Sequence, residues 1–281
     1  MSAPGRHALG LIAAGGDLPK AIAESARSQG RQVFVIALSG SAEDWVAGFA
    51  HEWCSLGEVG KVVKALKGAG VSDLCLAGKI ARPKFSDVKL DWKGVTVAPG
   101  IIKAARKGDD AMLRAVVETF EREGFRAIGA QEAAPGLLAQ EGPLGRFTPD
   151  AEDDADIAAA FRIVRLLGEL DVGQAAVVSE GLPLAVEAAE GTDAMIARIA
   201  TLPKHFRGQQ GKRRGVLVKA PKPIQDRKTD LPVIGVQTVR NAAAVGLCGI
   251  ALEAGGALIL DRKAVAEEAD KLGLFVIGVR P

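Results

Sequence analysis

The sequence ALGLIAAGGDLPKAIAESA, residues 8–26, decides the fold class of the first half of the chain. An apolar run over residues 8–14 leads into Gly15-Gly16-Asp17, and an apolar-periodic stretch follows from Leu18 to Ala26. A short apolar run, a glycine turn and a helical period predict a strand, a tight turn and a helix in that order. Such a βα unit is the repeating element of α/β folds that contain a parallel sheet.

Further strands and helices alternate after this unit. Apolar runs predict strands over residues 32–38, 72–77 and 125–130, and helical periods predict helices over 58–66 and 109–123. Because each helix returns the chain to the same end of the sheet, strands that alternate with helices pair in parallel. The first half is therefore predicted to be a parallel α/β domain.

The periodicity lapses between residues 132 and 150, where prolines and glycines cluster, and we interpret this stretch as a linker. Helices and strands alternate again beyond it. Two closely spaced apolar runs, 174–179 and 183–188, favour a hairpin and therefore a mixed sheet. The prediction is an α/β protein with an N-terminal domain over 1–131 and a C-terminal domain over 151–281.

The composition excludes several classes of protein. The chain has 281 residues, of which 48% are hydrophobic and 25% charged, as is ordinary for a soluble globular protein. Its 36 basic and 34 acidic residues leave a net charge of +2, which weighs against a nucleic-acid partner. We find no run of 18 apolar residues and no signal-peptide pattern, so we expect a cytoplasmic location.

The usual nucleophile and zinc motifs are missing from the sequence. Cys54, Cys75 and Cys248 lie far apart and are odd in number, so we predict buried reduced thiols rather than a disulfide framework or a zinc site. There is no Gly-x-Ser-x-Gly and no His-Glu-x-x-His motif. Covalent catalysis and zinc catalysis are therefore both disfavoured.

Three places in the first half are candidates for binding phosphate. Gly15 and Gly16 would let backbone N–H groups approach an anion at a helix N-terminus, although a plain βα turn explains them equally well. Arg82 follows a predicted strand at its carboxyl end, where open α/β sheets bind ligands. Lys103, Arg106 and Lys107 would neutralise phosphates, or belong to a solvated basic turn before a helix.

The loop KAPKP, residues 219–223, is the main candidate in the second half. Its prolines fix the path of the chain, so that Lys219 and Lys222 are presented as point charges suited to phosphate. Carboxylates in the same half offer the hard oxygen ligands that Mg²⁺ prefers. A surface loop with solvated charges is the alternative interpretation.

Eight strings of the sequence together resemble one enzyme family. They are GLIAAGGDLP (10–19), GEVGK (57–61), AARKGDDAMLR (104–114), DVGQAAVVSEG (171–181), AVEAAEGTDAM (185–195), KAPKPIQD (219–226), DLPVIGVQTV (230–239) and LEAGGALILDR (252–262). The family is the UDP-2,3-diacylglucosamine diphosphatases of lipid A biosynthesis, in the Mg²⁺-dependent type that is unrelated to calcineurin-like phosphoesterases. The resemblance extends over essentially the whole chain.

The resemblance implies an N-terminal Rossmann-like domain, a linker and a C-terminal α/β domain, with the active site between the domains. It implies hydrolysis of UDP-2,3-diacylglucosamine to 2,3-diacylglucosamine 1-phosphate (lipid X) and UMP, by attack of water on the sugar-side phosphorus. It also implies that Asp230 is important for turnover.

With that reaction in view, the chemistry of the side chains assigns the remaining roles. The predicted catalytic residues are Asp230, Lys219 and Lys222. The predicted substrate contacts are Gly15, Gly16, Arg82, Arg106, Lys107, Gln174, Thr192 and Gln225. The predicted ligands of Mg²⁺ or Mn²⁺ are Asp230, Glu190 and Asp193. The expected partners are a lipid-linked nucleotide sugar, the cytoplasmic face of the inner membrane and a second copy of the chain.

Two other functions stay open at this point. A nucleotide-sugar oxidoreductase would use the glycine turn to bind NAD, but the Gly-x-Gly-x-x-Gly fingerprint is missing, and Leu38-Ser39-Gly40 stands where an acidic residue would bind the ribose. A non-catalytic module that senses a nucleotide or a lipid is the other alternative. Release of UMP from UDP-diacylglucosamine would distinguish the hydrolase from both.

Overall fold

The computed structural model describes residues 8–80, 88–209, 211–223 and 231–280, without the side chains of Asp109 and Asp110. Three predicted site residues, Arg82, Gln225 and Asp230, lie outside this range. The chain divides into two compact units, Met1–Gly136 and Leu137–Pro281. The division falls inside the stretch 132–150 that the lapse in periodicity predicts to be a linker.

The N-terminal unit is built on a parallel sheet. Its described strands are β1 (Ala8–Ala13), β2 (Val33–Leu38), β3 (Ala50–Cys54), β4 (Val71–Ala77) and β5 (Arg126–Ala127). They are arranged in the order β3-β2-β1-β4-β5, and every neighbouring pair is parallel. This is the doubly wound order of Rossmann-like sheets, in which the strand order reverses at β1. The predicted parallel α/β domain is confirmed.

The described helices of this unit are α1 (Asp17–Ser28), α2 (Val59–Gly68), α3 (Trp92–Ala105), α4 (Asp109–Arg122) and α5 (Ala130–Ala133). Helices α1, α2 and α4 bury apolar side chains against the sheet. Ile22 of α1 and Leu66 of α2 are fully buried, as is Leu74 of β4. Apolar residues at helical spacing thus form the core contacts that the sequence pattern predicts.

The C-terminal unit contains a mixed sheet. Its strands are β6 (Gly142–Pro143), β7 (Ala175–Ser179), β8 (Leu182–Val186), β9 (Val216–Lys219), β10 (Val233–Ile234), β11 (Gly249–Glu253), β12 (Leu258–Ile259) and β13 (Phe275–Val279). The main sheet has the order β6-β13-β11-β9-β7-β8, and β10 pairs separately with β12. Strands β9, β11 and β13 are parallel, whereas β7 is antiparallel to both β8 and β9. The predicted mixed sheet is confirmed.

Side-chain alternation along β9 gives each face of this sheet its own core. The helices are α6 (Ala151–Glu169), α7 (Thr192–Ile199), α8 (Val236–Ala244) and α9 (Arg262–Leu272). Val216 and Val218 pack with the apolar residues of α6, while Leu217 packs with those of α7 and α8. Because side chains alternate between the faces, Lys219 falls on the face of Leu217 and α7.

Much of the stretch 132–150 is attached to the C-terminal unit. Ala139 N–H donates to Ala257 O at 2.8 Å, and Leu144 N–H donates to Val276 O at 2.8 Å. Strand β6 also lies at the edge of the mixed sheet. Among the helices of the described segments, none is long and apolar enough to cross a bilayer.

Candidate active site

Lys219 ends β9 with its side chain buried in the C-terminal unit. The residue is 4% exposed. Its Nζ donates hydrogen bonds to Thr192 Oγ1 at 2.8 Å and to Val233 O at 3.2 Å. An ammonium group taken out of water needs such partners, because its desolvation otherwise costs several kcal/mol. The strand therefore holds a cation at one defined place.

A buried carboxylate lies at the other end of the same hydrogen-bond chain. Thr192 Oγ1 donates to Glu187 Oε1 at 2.6 Å, and the Gln174 N–H donates to Glu187 Oε2 at 3.1 Å. Glu187 is 5% exposed. A hydroxyl thus links a buried cation to a buried anion, and the pair offsets part of the cost of burying each charge. We call Gln174, Glu187, Thr192 and Lys219 the Lys219 network.

Local backbone structure accounts for the position of Thr192. Gly191 has φ +79° and supplies the turn before α7, a conformation that glycine adopts without strain. Thr192 is then the first residue of α7, at the end where free backbone N–H groups and the helix dipole favour an anion. The Lys219 ammonium and this helix end thus lie at the same place.

Gln174 adds an unused acceptor to the network. Its side-chain Oε1 is fully buried and accepts no hydrogen bond from a described residue. The Ala220 N–H donates to the Gln174 backbone oxygen at 3.2 Å, which holds this residue beside the KAPKP loop. A buried amide oxygen without a donor is a suitable partner for a hydroxyl or N–H group of a ligand.

Three other predicted residues of this unit that the structure describes make polar contacts outside the network. Lys222 forms an ion pair with Asp171, Nζ to Oδ1 at 2.7 Å. Glu190 pairs with Arg198 at 3.2 Å. Asp193 Oδ1 accepts from Asn241 Nδ2 at 2.9 Å.

The described residues do not form a magnesium site by themselves. Within the described ranges, no three Cys, His, Asp or Glu side chains are grouped so as to hold a metal ion. Glu190 and Asp193 instead use oxygens on Arg198 and Asn241. The third predicted ligand, Asp230, lies outside the described residues. Two of the three predicted ligands therefore already have a protein partner.

The backbone structure of the β1–α1 turn explains both of its glycines without a ligand. The Gly15 N–H donates to Lys79 O at 3.1 Å, and the Lys79 N–H donates to Gly15 O at 2.8 Å. Gly16 has φ +89°, in the region that favours glycine, and Asp17 places a carboxylate at the first turn of α1. The turn lies at the carboxyl ends of β1 and β4, where strand order reverses, but the Gly15 N–H is already in use.

Arg106 and Lys107 lie in the turn between α3 and α4. Arg106 follows the last residue of α3, and the Lys107 N–H donates to Ala104 O at 2.8 Å. Both side chains are exposed. Neither forms an ion pair with another side chain that the structure describes.

The thiols are free and unreactive at neutral pH. Burial raises the pKa of Cys54 to about 11 and that of Cys248 to about 12. Thiols with such pKa values stay protonated, and the protonated form is a poor nucleophile. This agrees with a reaction that uses no cysteine.

The sequence assignment included three of the four members of the Lys219 network. It left out Glu187, which follows β8 and reaches Thr192 only because the chain turns back into α7. The available signal was an acidic residue directly after an apolar strand. The structure adds what the sequence could not supply, the two hydrogen bonds that connect it to Lys219.

Comparisons with known proteins match both units. Residues 8–137 match the LpxI N-terminal domain, and residues 140–277 match the LpxI C-terminal domain. A curated relative from Caulobacter vibrioides (strain ATCC 19089 / CIP 103742 / CB 15) is named UDP-2,3-diacylglucosamine pyrophosphatase LpxI. It is 49% identical over 273 residues, which cover 97% of this chain and 98% of the relative.

Proposed function

The chain belongs to the LpxI family, and from this premise we propose that it hydrolyses the diphosphate of UDP-2,3-diacylglucosamine. The products are UMP and 2,3-diacylglucosamine 1-phosphate, in a step of lipid A biosynthesis. The identity of 49% along almost the full length of a relative with that name carries the proposal. The Lys219 network supports it, because a fixed cation beside a helix N-terminus suits a phosphate group.

Lys219 is assigned the main electrostatic role. Hydrolysis of a diphosphate needs stabilisation of the charge on non-bridging oxygens while water attacks. The Lys219 ammonium, oriented by Thr192 and Glu187, is held at one place before substrate arrives, so little reorganisation is needed during the reaction. Gln174 Oε1 is assigned to accept a hydrogen bond from the substrate.

Asp230 is assigned to orient the attacking water. Leu231 and Pro232, which follow it in the sequence, are buried, and Leu258 N–H donates to Pro232 O at 2.8 Å. Lys219 Nζ donates to Val233 O in the same segment. These contacts anchor the chain next to Asp230 beside Lys219. Lys222 stays part of the proposal as a catalytic residue. The remaining predicted substrate contacts also stay part of it; they are Gly15, Gly16, Arg82, Arg106, Lys107 and Gln225.

A requirement for Mg²⁺ or Mn²⁺ is proposed from the chemistry of the reaction. The ion would neutralise negative charge on the diphosphate oxygens. Glu190 and Asp193 would each have to exchange a present partner for the ion. Excess EDTA should abolish turnover and added Mg²⁺ should restore it, whereas full activity in EDTA would reject the requirement.

Two further proposals concern where the protein acts and its oligomeric state. A molecule with two acyl chains partitions into membranes, so we propose that the protein acts at the cytoplasmic face of the inner membrane. We also propose that it forms a homodimer, which sedimentation-velocity measurements on the purified chain test directly. A single monomeric species at micromolar concentration would reject the dimer.

The experiment that tests the function is hydrolysis in ¹⁸O-labelled water. Purified protein with UDP-2,3-diacylglucosamine and Mg²⁺ should release UMP, and the label should enter 2,3-diacylglucosamine 1-phosphate if water attacks the sugar-side phosphorus. Label in UMP would place the attack on the other phosphorus. Binding without release of UMP, or an absorbance change that depends on NAD, would support one of the alternative functions instead.

Replacing Lys219 tests the assigned site. Lys219→Met keeps much of the side-chain volume but removes the charge, so kcat/KM should fall by ~10–1000-fold. The matched control is Lys204→Met, at an exposed position, which should keep wild-type kcat/KM. Thermal unfolding of both variants checks that they fold. A loss below twofold in a folded Lys219→Met protein would remove Lys219 from the mechanism.

A further inference from the structure

The outward face of α3 exposes large apolar side chains. Trp92 is 75% exposed and Val95 is 59% exposed, while Gly94 and Ala105 are the residues of this helix that are buried. Residues 92, 95, 99 and 103 are spaced by three or four, so they follow one another along the same face of the helix. An exposed tryptophan with apolar neighbours on a helix marks an interaction surface rather than a core contact.

Basic side chains continue this face at the end of α3. A cavity of about 270 Å³ between α3 and α4 is lined by Lys103, Lys107 and Arg114. These three cations form no ion pair with a described residue. Glu118 also lines the cavity, but its carboxylate pairs with Arg122 at 3.0 Å. Among the side chains that the structure describes, the face therefore has an apolar part and a basic part.

We propose that this face, defined by Trp92, Val95, Lys103 and Arg114, docks the protein on an anionic phospholipid surface. The proposal rests on the proposed function, because a diacylated substrate has to be reached at a membrane. Tryptophan and apolar residues insert at the level of the headgroups, and lysine and arginine contact lipid phosphates. A helix lying in the interface needs this combination of side chains.

Other occupants fit this face less well. A second copy bound through the same face would bring two sets of like charges together, which is unfavourable. Nucleic acid is disfavoured because the whole chain carries a net charge of only +2. The diphosphate of the substrate would use the basic part but leaves Trp92 and Val95 in water.

Vesicle co-sedimentation tests the proposal. Wild-type protein should bind vesicles of phosphatidylethanolamine and phosphatidylglycerol (3:1) more than vesicles of phosphatidylcholine, and salt should weaken the binding. Both Trp92→Glu/Val95→Glu and Lys103→Glu/Arg114→Glu should lower the partition constant by at least ~10-fold. The matched controls are Leu166→Glu/Leu170→Glu and Lys64→Glu/Lys204→Glu, which change exposed residues elsewhere and should bind as wild type does.

Turnover of substrate separates this proposal from the proposed function. In detergent micelles the Trp92→Glu/Val95→Glu variant should release UMP at the wild-type rate, whereas with substrate in vesicles it should be slower. Wild-type protein that releases UMP but does not bind anionic vesicles would overturn the docking proposal alone. Equal losses in micelles and vesicles for Lys103→Glu/Arg114→Glu would assign the basic residues to the substrate and also overturn it. Wild-type protein that binds the vesicles but releases no UMP in micelles would overturn only the proposed function.

Discussion

Lys219 combines two properties that a surface lysine does not have. Its ammonium is almost fully buried, and each hydrogen bond it makes to Thr192 and Val233 fixes its position further. The energetic cost of such an arrangement is offset by the Glu187 carboxylate, which balances the charge at the far side of Thr192.

The Thr192 hydroxyl should therefore matter for both stability and turnover. Thr192→Val keeps the shape but removes one hydrogen-bond partner from Lys219 and one from Glu187, so the free energy of unfolding should fall by ~1–3 kcal/mol. With Lys219 no longer oriented, kcat/KM should fall by ~10–100-fold.

Thr192→Ser is the matched control for this prediction. It keeps the hydroxyl and should therefore keep most of the wild-type free energy of unfolding, measured in urea, and most of the wild-type kcat/KM, measured by release of UMP. If Thr192→Ser is as impaired as Thr192→Val, the methyl group rather than the hydrogen bonds is what matters.

At the residue scale, the role of Lys219 stays a prediction, and the sequence did not indicate its environment. The prolines of KAPKP indicated a rigid loop that presents Lys219, whereas in the structure this residue is buried at the end of β9. Lys222 carries the same charge in the same loop, yet it pairs with Asp171 at 2.7 Å. No pattern in the sequence distinguishes these two lysines. Lys219 ends β9 on the face that α7 covers, whereas Lys222 reaches Asp171, which follows the C-terminal end of α6.

At the scale of elements, the β7–β8 hairpin depends on a side chain from α6. Glu180 and Gly181 form its turn with φ +52° and +76°. Asp156, which is 5% exposed, accepts hydrogen bonds from both backbone N–H groups, at 2.8 Å from Glu180 and 2.7 Å from Gly181. One buried carboxylate thus fixes both the turn and the packing of α6 on the sheet.

Removing this carboxylate should weaken the C-terminal unit. Asp156→Ala leaves two backbone N–H groups of the turn without their acceptor, so the free energy of unfolding should fall by ~2–4 kcal/mol. The matched control is Asp154→Ala, an exposed position on the same helix, with an expected change below ~0.5 kcal/mol. Far-UV circular dichroism in urea measures both variants. Equal urea midpoints for Asp156→Ala and Asp154→Ala would show that the turn forms without Asp156.

Two elements of the N-terminal unit have no clear signal in the sequence, for physical reasons. Strand β3 contains His51 and Glu52 and lies at the edge of the sheet, so it lacks the continuous apolar run of a central strand. Helix α3 contains Gly94 and Pro99, which normally indicate the end of a helix. Gly94 is required there, because a Cβ would lie 2.3 Å from Gly57 O. Such close approaches are visible only in three dimensions.

At the scale of the whole molecule, the two units can be observed separately. All three tryptophans, Trp45, Trp53 and Trp92, belong to the N-terminal unit, and the chain has no tyrosine. Intrinsic fluorescence therefore reports the N-terminal unit, while far-UV circular dichroism reports both.

The sequence predicted two α/β domains because the hydrophobic periods lapse between them. It could not predict which residues of 132–150 attach to the C-terminal unit, because that attachment depends on backbone hydrogen bonds to strands far away in the sequence.

A buried carboxylate in the N-terminal unit connects three segments of the chain. Asp73 of β4 is 3% exposed and accepts two hydrogen bonds from Arg126 of β5, at 2.8 Å and 2.9 Å. It also pairs with Arg31, which precedes β2. Burial alone would raise the pKa of Asp73, but the hydrogen bonds and charges of Arg126 and Arg31 outweigh it and hold the pKa below its ordinary value of 3.8.

This lowered pKa predicts how the N-terminal unit responds to acid. Because the folded state binds a proton at Asp73 less readily than the unfolded state does, the stabilisation is fully present above pH 3.8 and is lost as the pH falls through the lower folded pKa. Asp73→Asn should lower the free energy of unfolding by about 2 kcal/mol at pH 7 and remove this part of the acid dependence. Tryptophan fluorescence in urea between pH 2 and 7 measures it, with the exposed Asp44→Asn as control. An Asp73→Asn protein whose midpoint falls with acid as steeply as that of the control would show that other groups set the acid stability of this unit.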